Sequence, residues 1–202
     1  MLKQLFEYKV DKNGVYMMDS RIAKTIRSIH NAFYALCKSK PLSQISVKEI
    51  VTEAEINKTT FYHYYENVEH LIDDLETQEI NKILDSFQNY SLYFRSPGKF
   101  FNQLVDSFVS SERIRVFIDK NRTSIISSKI CNGIFNKICD CEPIIKESEN
   151  AKYILKFFLY GILNSYLICF RNSAGDIKIE DCYRLNQILE IPLLAMMKYG
   201  QI

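Results

Sequence analysis

Within Asn57–Glu66, NKTTFYHYYE, four aromatic rings and one imidazole fill five consecutive positions behind a lysine and two threonines. These side chains offer ring faces, hydroxyls that both donate and accept, two ring nitrogens and one fixed positive charge. Such a set can pack as core, or it can meet a flat and charged surface. A helical wheel separates the two uses. With Phe61 as origin and ~100° per residue, Asn57 and Tyr65 fall within about 40° of it and face inward with it. Thr59, Thr60, Tyr62, His63 and Tyr64 occupy the outer arc, with His63 near its middle. The run thus divides into a buried side and a polar side of hydroxyls around an imidazole.

That polar side suits DNA. Lys58 and the start of the helix favour phosphate by charge and by free backbone N–H groups. Threonine and tyrosine hydroxyls are common phosphate partners that fix register. His63 can meet a base edge as donor or acceptor, and a threonine methyl can meet that of thymine. Lys48, at the start of the preceding helix, reaches the backbone beside the groove. The plainer use is that Tyr62 and Tyr64 pack at a rim with their hydroxyls in water.

The elements that must carry this face are legible around it. Ile22, Ile26, Ile29, Phe33 and Leu36 recur at three- and four-residue steps, predicting a helix of about five turns. Asp19 or Ser20 caps it, and Lys40-Pro41 ends it, because a residue before proline avoids the helical region. Ser46-Val47-Lys48-Glu49 is a capping box that opens a helix of two turns with Val47, Ile50 and Val51 inside. Ala54-Glu55-Ile56 forms a turn, and Asn57 caps a second short helix running to Tyr65. Asn67 caps a longer helix with Val68, Leu71, Leu75, Ile80, Ile83 and Leu84 along one stripe. Helices of two turns are unstable alone and need each other's faces. The order predicts a tri-helical helix-turn-helix unit over residues 19–67. Residues 1–18 read as an N-terminal extension and 68–202 as a larger helical bundle, an all-α chain throughout.

With these residues in place, Ile45–Leu75 (ISVKEIVTEAEINKTTFYHYYENVEHLIDDL) resembles the DNA-binding signature of the tetracycline-repressor (TetR) family of bacterial regulators. Arg21–Leu75 is covered by the likeness, and the helical remainder is similar in plan. The resemblance implies that Ser46 and Lys48 start the second helix on the phosphate backbone. It implies that Lys58, Thr59 and Thr60 open the recognition helix, that Tyr62 binds phosphate, and that His63 reads a base with Tyr64 beside it. Two positions depart from the family pattern. Glu55 stands where glycine is common in the turn, and Val68 stands where a phosphate-binding lysine is common. Losing one charged contact weakens affinity and flattens its salt dependence by about one phosphate's worth.

A two-turn helix reads few base pairs, so the expected working form is a homodimer on a near-palindromic operator in double-stranded DNA. The apolar stretch Tyr153–Phe170 and a last helix from about Ile179, kinked at Pro192, are the expected dimer helices. They would bury Phe157, Leu163, Tyr166, Leu167, Leu185, Ile188 and Leu193. The family resemblance further implies a small-molecule effector in the second half. Phe100, Phe101, Phe108, Phe117, Tyr153, Phe158 and Tyr160 are its candidate pocket lining, although such stripes also form ordinary core. The function read from the sequence is a transcriptional regulator, a repressor released by its ligand. A helical adaptor of the same fold without specific DNA binding is the other reading, and Glu55 and Val68 motivate it.

Other classes find little support. The chain of 202 residues carries a net charge of +2, too small to announce a nucleic-acid partner by itself. It has no glycine-rich phosphate loop, nucleophile elbow, HExxH motif or paired carboxylates in a pocket-like setting, so neither enzyme nor cofactor is expected. Six cysteines without CxxC spacing predict reduced, mostly buried thiols in a cytoplasmic protein, with no metal. Met1–Val10 lacks the apolar core of a signal peptide. Tyr153–Phe170 is about long enough to span a bilayer. Lys156, Asn164 and Ser165 inside it argue for burial against other helices instead.

Overall fold

A computed structural model of the chain describes residues 8–10, 16–18, 20–118, 122–172, 183–184 and 187. The extension contributes a short antiparallel pair, β1 (Tyr8–Val10) and β2 (Tyr16–Met18), with Tyr8 opposite Met18 and Val10 opposite Tyr16. Asn13-Gly14 between them is a hairpin signal in the sequence that the reading as a plain extension passed over. Apart from this strand pair, the elements among the described residues are helices. The chain divides into two compact units, Met1–Leu75 and Glu76–Ile202.

In the first unit, α1 (Ser20–Cys37) buries Ile29, Ala32 and Phe33. It stops at Cys37, ahead of the stop expected at Lys40, and Asp19 lies outside the described residues. A single 3-10 turn, Leu42–Gln44, leads to α2 (Val47–Glu53). The capping box forms: the Glu49 N–H donates to Ser46 Oγ at 3.4 Å, and the Glu49 carboxylate accepts from the Ser46 N–H at 3.0 Å. The Ser46 hydroxyl also donates to that carboxylate at 2.7 Å. Then α3 (Lys58–Tyr64) follows after the turn, and α4 (Val68–Ser86) opens on Asn67, whose Oδ1 accepts the His70 N–H at 2.8 Å. Leu71, Ile72 and Leu75, from the first turns of α4, join the buried set of this unit. The boundary predicted at residue 67 is the start of α4, whereas the units part within that helix.

The second unit continues α4 and adds α5 (Leu92–Arg95), α6 (Pro97–Val109), α7 (Glu112–Arg115), α8 (Thr123–Cys141), α9 (Pro143–Glu147) and α10 (Glu149–Asn172). Pro97 opens α6, at a position where its missing N–H costs nothing. The stretch 114–138, whose sequence reads as helical with a break near Asn121, divides between α7 and α8, and Pro143, whose sequence reads as a loop, starts α9. Aromatic edges hold the α4–α6 corner: Phe100 meets Phe87, Tyr93 and Phe101 at centroid distances of 5.4, 5.6 and 5.1 Å. Such edge-to-face contacts add to the area buried. Between α4 and α8, the fully buried Glu76 carboxylate is met by Arg122 at 3.0 Å and Lys129 at 2.9 Å. A carboxylate this deep survives only because it is paired. Gly133 lets α8 approach the Leu84 side chain, since a Cβ there would stand 2.3 Å from its Cδ1. No helix among the described residues is long and apolar enough to cross a membrane.

Candidate nucleic-acid interface

The helix α3 is built from its two ends. Asn57 Oδ1 accepts the Thr60 N–H at 2.7 Å and the Thr60 hydroxyl at 2.9 Å. This places Asn57 ahead of the helix and exposed, not on the inward side where the wheel puts it, because its own backbone is extended. At the other end Tyr65 leaves the helix in an extended conformation while its N–H still bonds Phe61 O at 2.9 Å. Phe61 is fully buried and Tyr65 nearly so. Lys58, Thr59, Tyr62 and His63 are exposed, and Thr60 and Tyr64 half-buried. Tyr62 is 54% exposed although its ring leans edge-on against Phe61 at 5.7 Å. His63 stands edge-on to Tyr64 at 5.0 Å, a pair of polar-edged rings at the centre of the outer arc.

Two of the candidate contacts carry structural duties as well. Ser46 is exposed, but its hydroxyl gives its one proton to the Glu49 carboxylate and accepts the Glu49 N–H, so it has no proton left to donate to a phosphate oxygen. Thr60 spends its hydroxyl proton and its N–H on Asn57. Phosphate contact therefore rests mainly with side chains, Lys48 and Lys58 among them, and Lys48 is exposed on the first turn of α2. Exposed Arg21, Lys24 and Arg27 recur every three residues on α1 and form a further basic side that the sequence reading left unused.

The turn between α2 and α3 answers the question posed by Glu55. The Ile56 N–H bonds Val51 O at 3.0 Å and the Glu55 N–H bonds Thr52 O at 3.3 Å, a Schellman motif. Glu55 takes the left-handed position at φ 55°, the only non-glycine residue described with positive φ. The usual turn is kept, and the backbone strain is accepted.

In the second unit, an apolar cavity of about 40 Å³ is lined by residues of α6, α7, α8 and α10, including Leu104, Phe108, Ile126, Ile130, Leu163 and Tyr166. Of the expected aromatic lining, Phe108 alone is there. Phe100, Phe101, Phe117 and Phe158 are buried in packing. Tyr160 is half-buried with its hydroxyl 3.3 Å from Ser128 Oγ, and Tyr153 is exposed. The lining is mostly aliphatic, with Phe108 and Tyr166 its two rings. Leu163 and Tyr166, expected in a dimer face, are buried at this cavity instead. Phe157 is 72% exposed, on the same side of α10 as Tyr153. The Leu167 side chain, Leu185, Ile188 and Leu193, and the kink at Pro192, lie outside the described residues.

Burial pushes the Cys131 thiol up to about 12 and the Cys37 thiol up to about 11. Cys141 is exposed, contrary to the expectation of buried thiols, while Cys169 and Cys182 lie outside the described residues. No cluster of three metal-ligating side chains occurs among the described residues.

A capped two-helix motif displaying a polar arc, in a helical frame, defines a helix-turn-helix protein. Its fold is that of the TetR transcriptional regulators. Over 85% of this chain and 97% of the other, it is similar to a TetR regulator from Streptococcus agalactiae at 20% identity and a TM-score of 0.56. The TetR family repressor AlkX from a Dietzia species matches over 89% and 98% at 14% identity and a TM-score of 0.51. The dihydroxyacetone kinase operon activator DhaS matches over 87% and 97% at 23% identity and a TM-score of 0.50. No family model and no curated protein matches the sequence.

Proposed function

We propose that this chain is a DNA-binding transcriptional regulator in the cytoplasm that binds a near-palindromic operator as a homodimer. The observation that carries the reading is the exposed arc of Thr59, Tyr62 and His63 standing over a fully buried Phe61. That arrangement leaves a short helix anchored on one side and hydrogen-bonding on the other. Residues 19–67 form the DNA-binding part and 68–202 the regulatory part. Tyr62, Tyr64, Thr59, Lys48 and Lys58 fix register on phosphate, and His63 reads a base, while Ser46 and Thr60 serve through the caps that take their hydroxyl protons. Tyr153 and Phe157, exposed on one side of α10, are the described residues best suited to a second copy. Repression is the action proposed, because a bound dimer blocks polymerase by occupancy alone. Among the proteins of similar fold, one is named a repressor and another an activator.

Release by a small molecule requires a ligand that binds the non-operator conformation better. The cavity beside Phe108 is its starting point. At about 40 Å³ it is far below the ~300 Å³ of an ordinary ligand site, so the ligand must open it.

Selection from a random duplex pool, followed by gel shift at fixed salt, tests the DNA reading. We expect one enriched, two-fold symmetric sequence. His63→Ala should lower preference for it by about 1–3 kcal/mol. Tyr62→Phe should weaken binding to all duplexes alike. A pool that emerges unenriched sinks the reading and leaves the helical adaptor, which Val68 favours by lacking the phosphate-binding lysine of the family pattern.

A further inference from the structure

Tyr65, the residue that caps the end of α3, reaches further than the helix itself. Among the seven residues of α3 Phe61 alone is fully buried, and Tyr65 is the next ring held in the core. Apolar burial has no preferred direction, so Phe61 by itself leaves the helix free to roll about its axis. The Tyr65 hydroxyl is directional. It donates to Asp74 Oδ2 at 3.0 Å, on α4, and lies 2.8 Å from His30 Nε2, on α1. A phenol has one proton, and it goes to Asp74, so His30 must carry a proton on Nε2 and donate it to the Tyr65 oxygen. Burial and then the neighbouring Asp74 charge push the Tyr65 phenol well above its usual range, which keeps that proton in place. The ring is further bounded by Phe61 at 5.8 Å and by His70, edge-on, at 5.8 Å.

We propose that Tyr65 is the positioning residue of the recognition helix: its hydroxyl, held between His30 and Asp74, sets the roll of α3. Hydrogen bonds weaken steeply once stretched or bent, so two anchors on two different helices tolerate little rotation. The aim of Tyr62, His63 and Tyr64 follows that roll, since all three ride on the same two turns. Asp74 lies on α4, so a displacement of that helix reaches the recognition helix through this bond. The proposal rests on the DNA-binding reading for its consequence, but not for its geometry.

Two measurements test it. In the protein alone, nitrogen NMR of ¹⁵N-labelled histidine should show His30 protonated on Nε2, and Tyr65→Phe should shift that Nε2 resonance as its acceptor is lost. An Nε2 without a proton in the parent, or a resonance that stays in place in Tyr65→Phe, overturns the hydrogen-bonded anchor. For DNA, binding to the selected duplex and to a scrambled duplex is compared at one salt concentration. Tyr65→Phe should lose about tenfold or more of the ratio between them, the worth of a hydrogen bond to a charged group. Affinity for the scrambled duplex should fall by less than the ratio does, because the charges of Lys48 on α2 and of Lys58 attract phosphate without a fixed roll of α3. Asp74→Asn, which keeps an acceptor oxygen, should retain the ratio. Equal loss on both duplexes, or an unchanged ratio, overturns the positioning role. If no duplex is ever selected, the DNA reading fails, while the His30 signal still decides whether Tyr65 anchors α3.

Discussion

Glu49 joins two kinds of contact at the start of α2. Its carboxylate is bonded by Lys40 and by the Ser46 hydroxyl and N–H, which together hold its pKa at about 2 against an ordinary 4.5. A folded-state pKa below the unfolded one contributes stability above the unfolded value and loses it as pH falls through the folded one. Glu49→Gln should therefore melt below the parent at neutral pH, and the gap should close between 4.5 and about 2. Thermal unfolding of both proteins across that range checks it; a gap that persists at the acid end shows the pairing is irrelevant. Residues of this kind were readable because Ser46 and Glu49 lie three apart. The Tyr65 hydroxyl was not, because His30 is 35 residues away and Asp74 nine, on other helices. Periodicity identifies an inward-facing ring but not the partners of its polar edge.

At the scale of elements, the turn before α3 carries the clearest local cost. A side chain at the left-handed position crowds the following carbonyl, at roughly 1–2 kcal/mol for a residue such as Glu55. Glu55→Gly should raise stability to denaturant by about 1 kcal/mol, since part of the gain is offset by the greater freedom of glycine in the unfolded chain. Equilibrium urea unfolding measures it; a loss of stability would mean the Glu55 side chain makes a contact worth more than the strain. The caps at Ser46, Asn57 and Asn67 all formed where the sequence put them. The division of 114–138 was legible as a break near Asn121, whereas the short α9 was not, because Pro143 reads as a loop signal and suits the first position of a helix equally well.

For the whole molecule, the exposed pair Tyr153 and Phe157 marks where a second copy is expected. Light scattering at micromolar concentration should give about twice the chain mass, and Phe157→Glu should move the protein toward monomer by burying a charge in the interface. A parent that is already monomeric removes the two-fold operator from the proposal. Leu163 and Tyr166 cannot serve that interface from their present positions, because they are buried beside the cavity. The sequence could show that α10 is apolar on several sides, yet not which side meets its own unit.

The sequence by itself determined the helical class, the two-helix motif with its caps and turn, and the division of Phe61 from Thr59, Tyr62 and His63 into inner and outer faces. These follow from spacings of three and four residues, which the geometry of one helix converts directly into faces. Only the tertiary structure decided that Glu55 keeps the left-handed turn, that Phe100 and Phe101 of α6 are core and the cavity mostly aliphatic, and that Tyr65 is tied to His30 and Asp74. Those outcomes depend on which helices meet and at what distance, and packing between distant segments leaves no period in the chain.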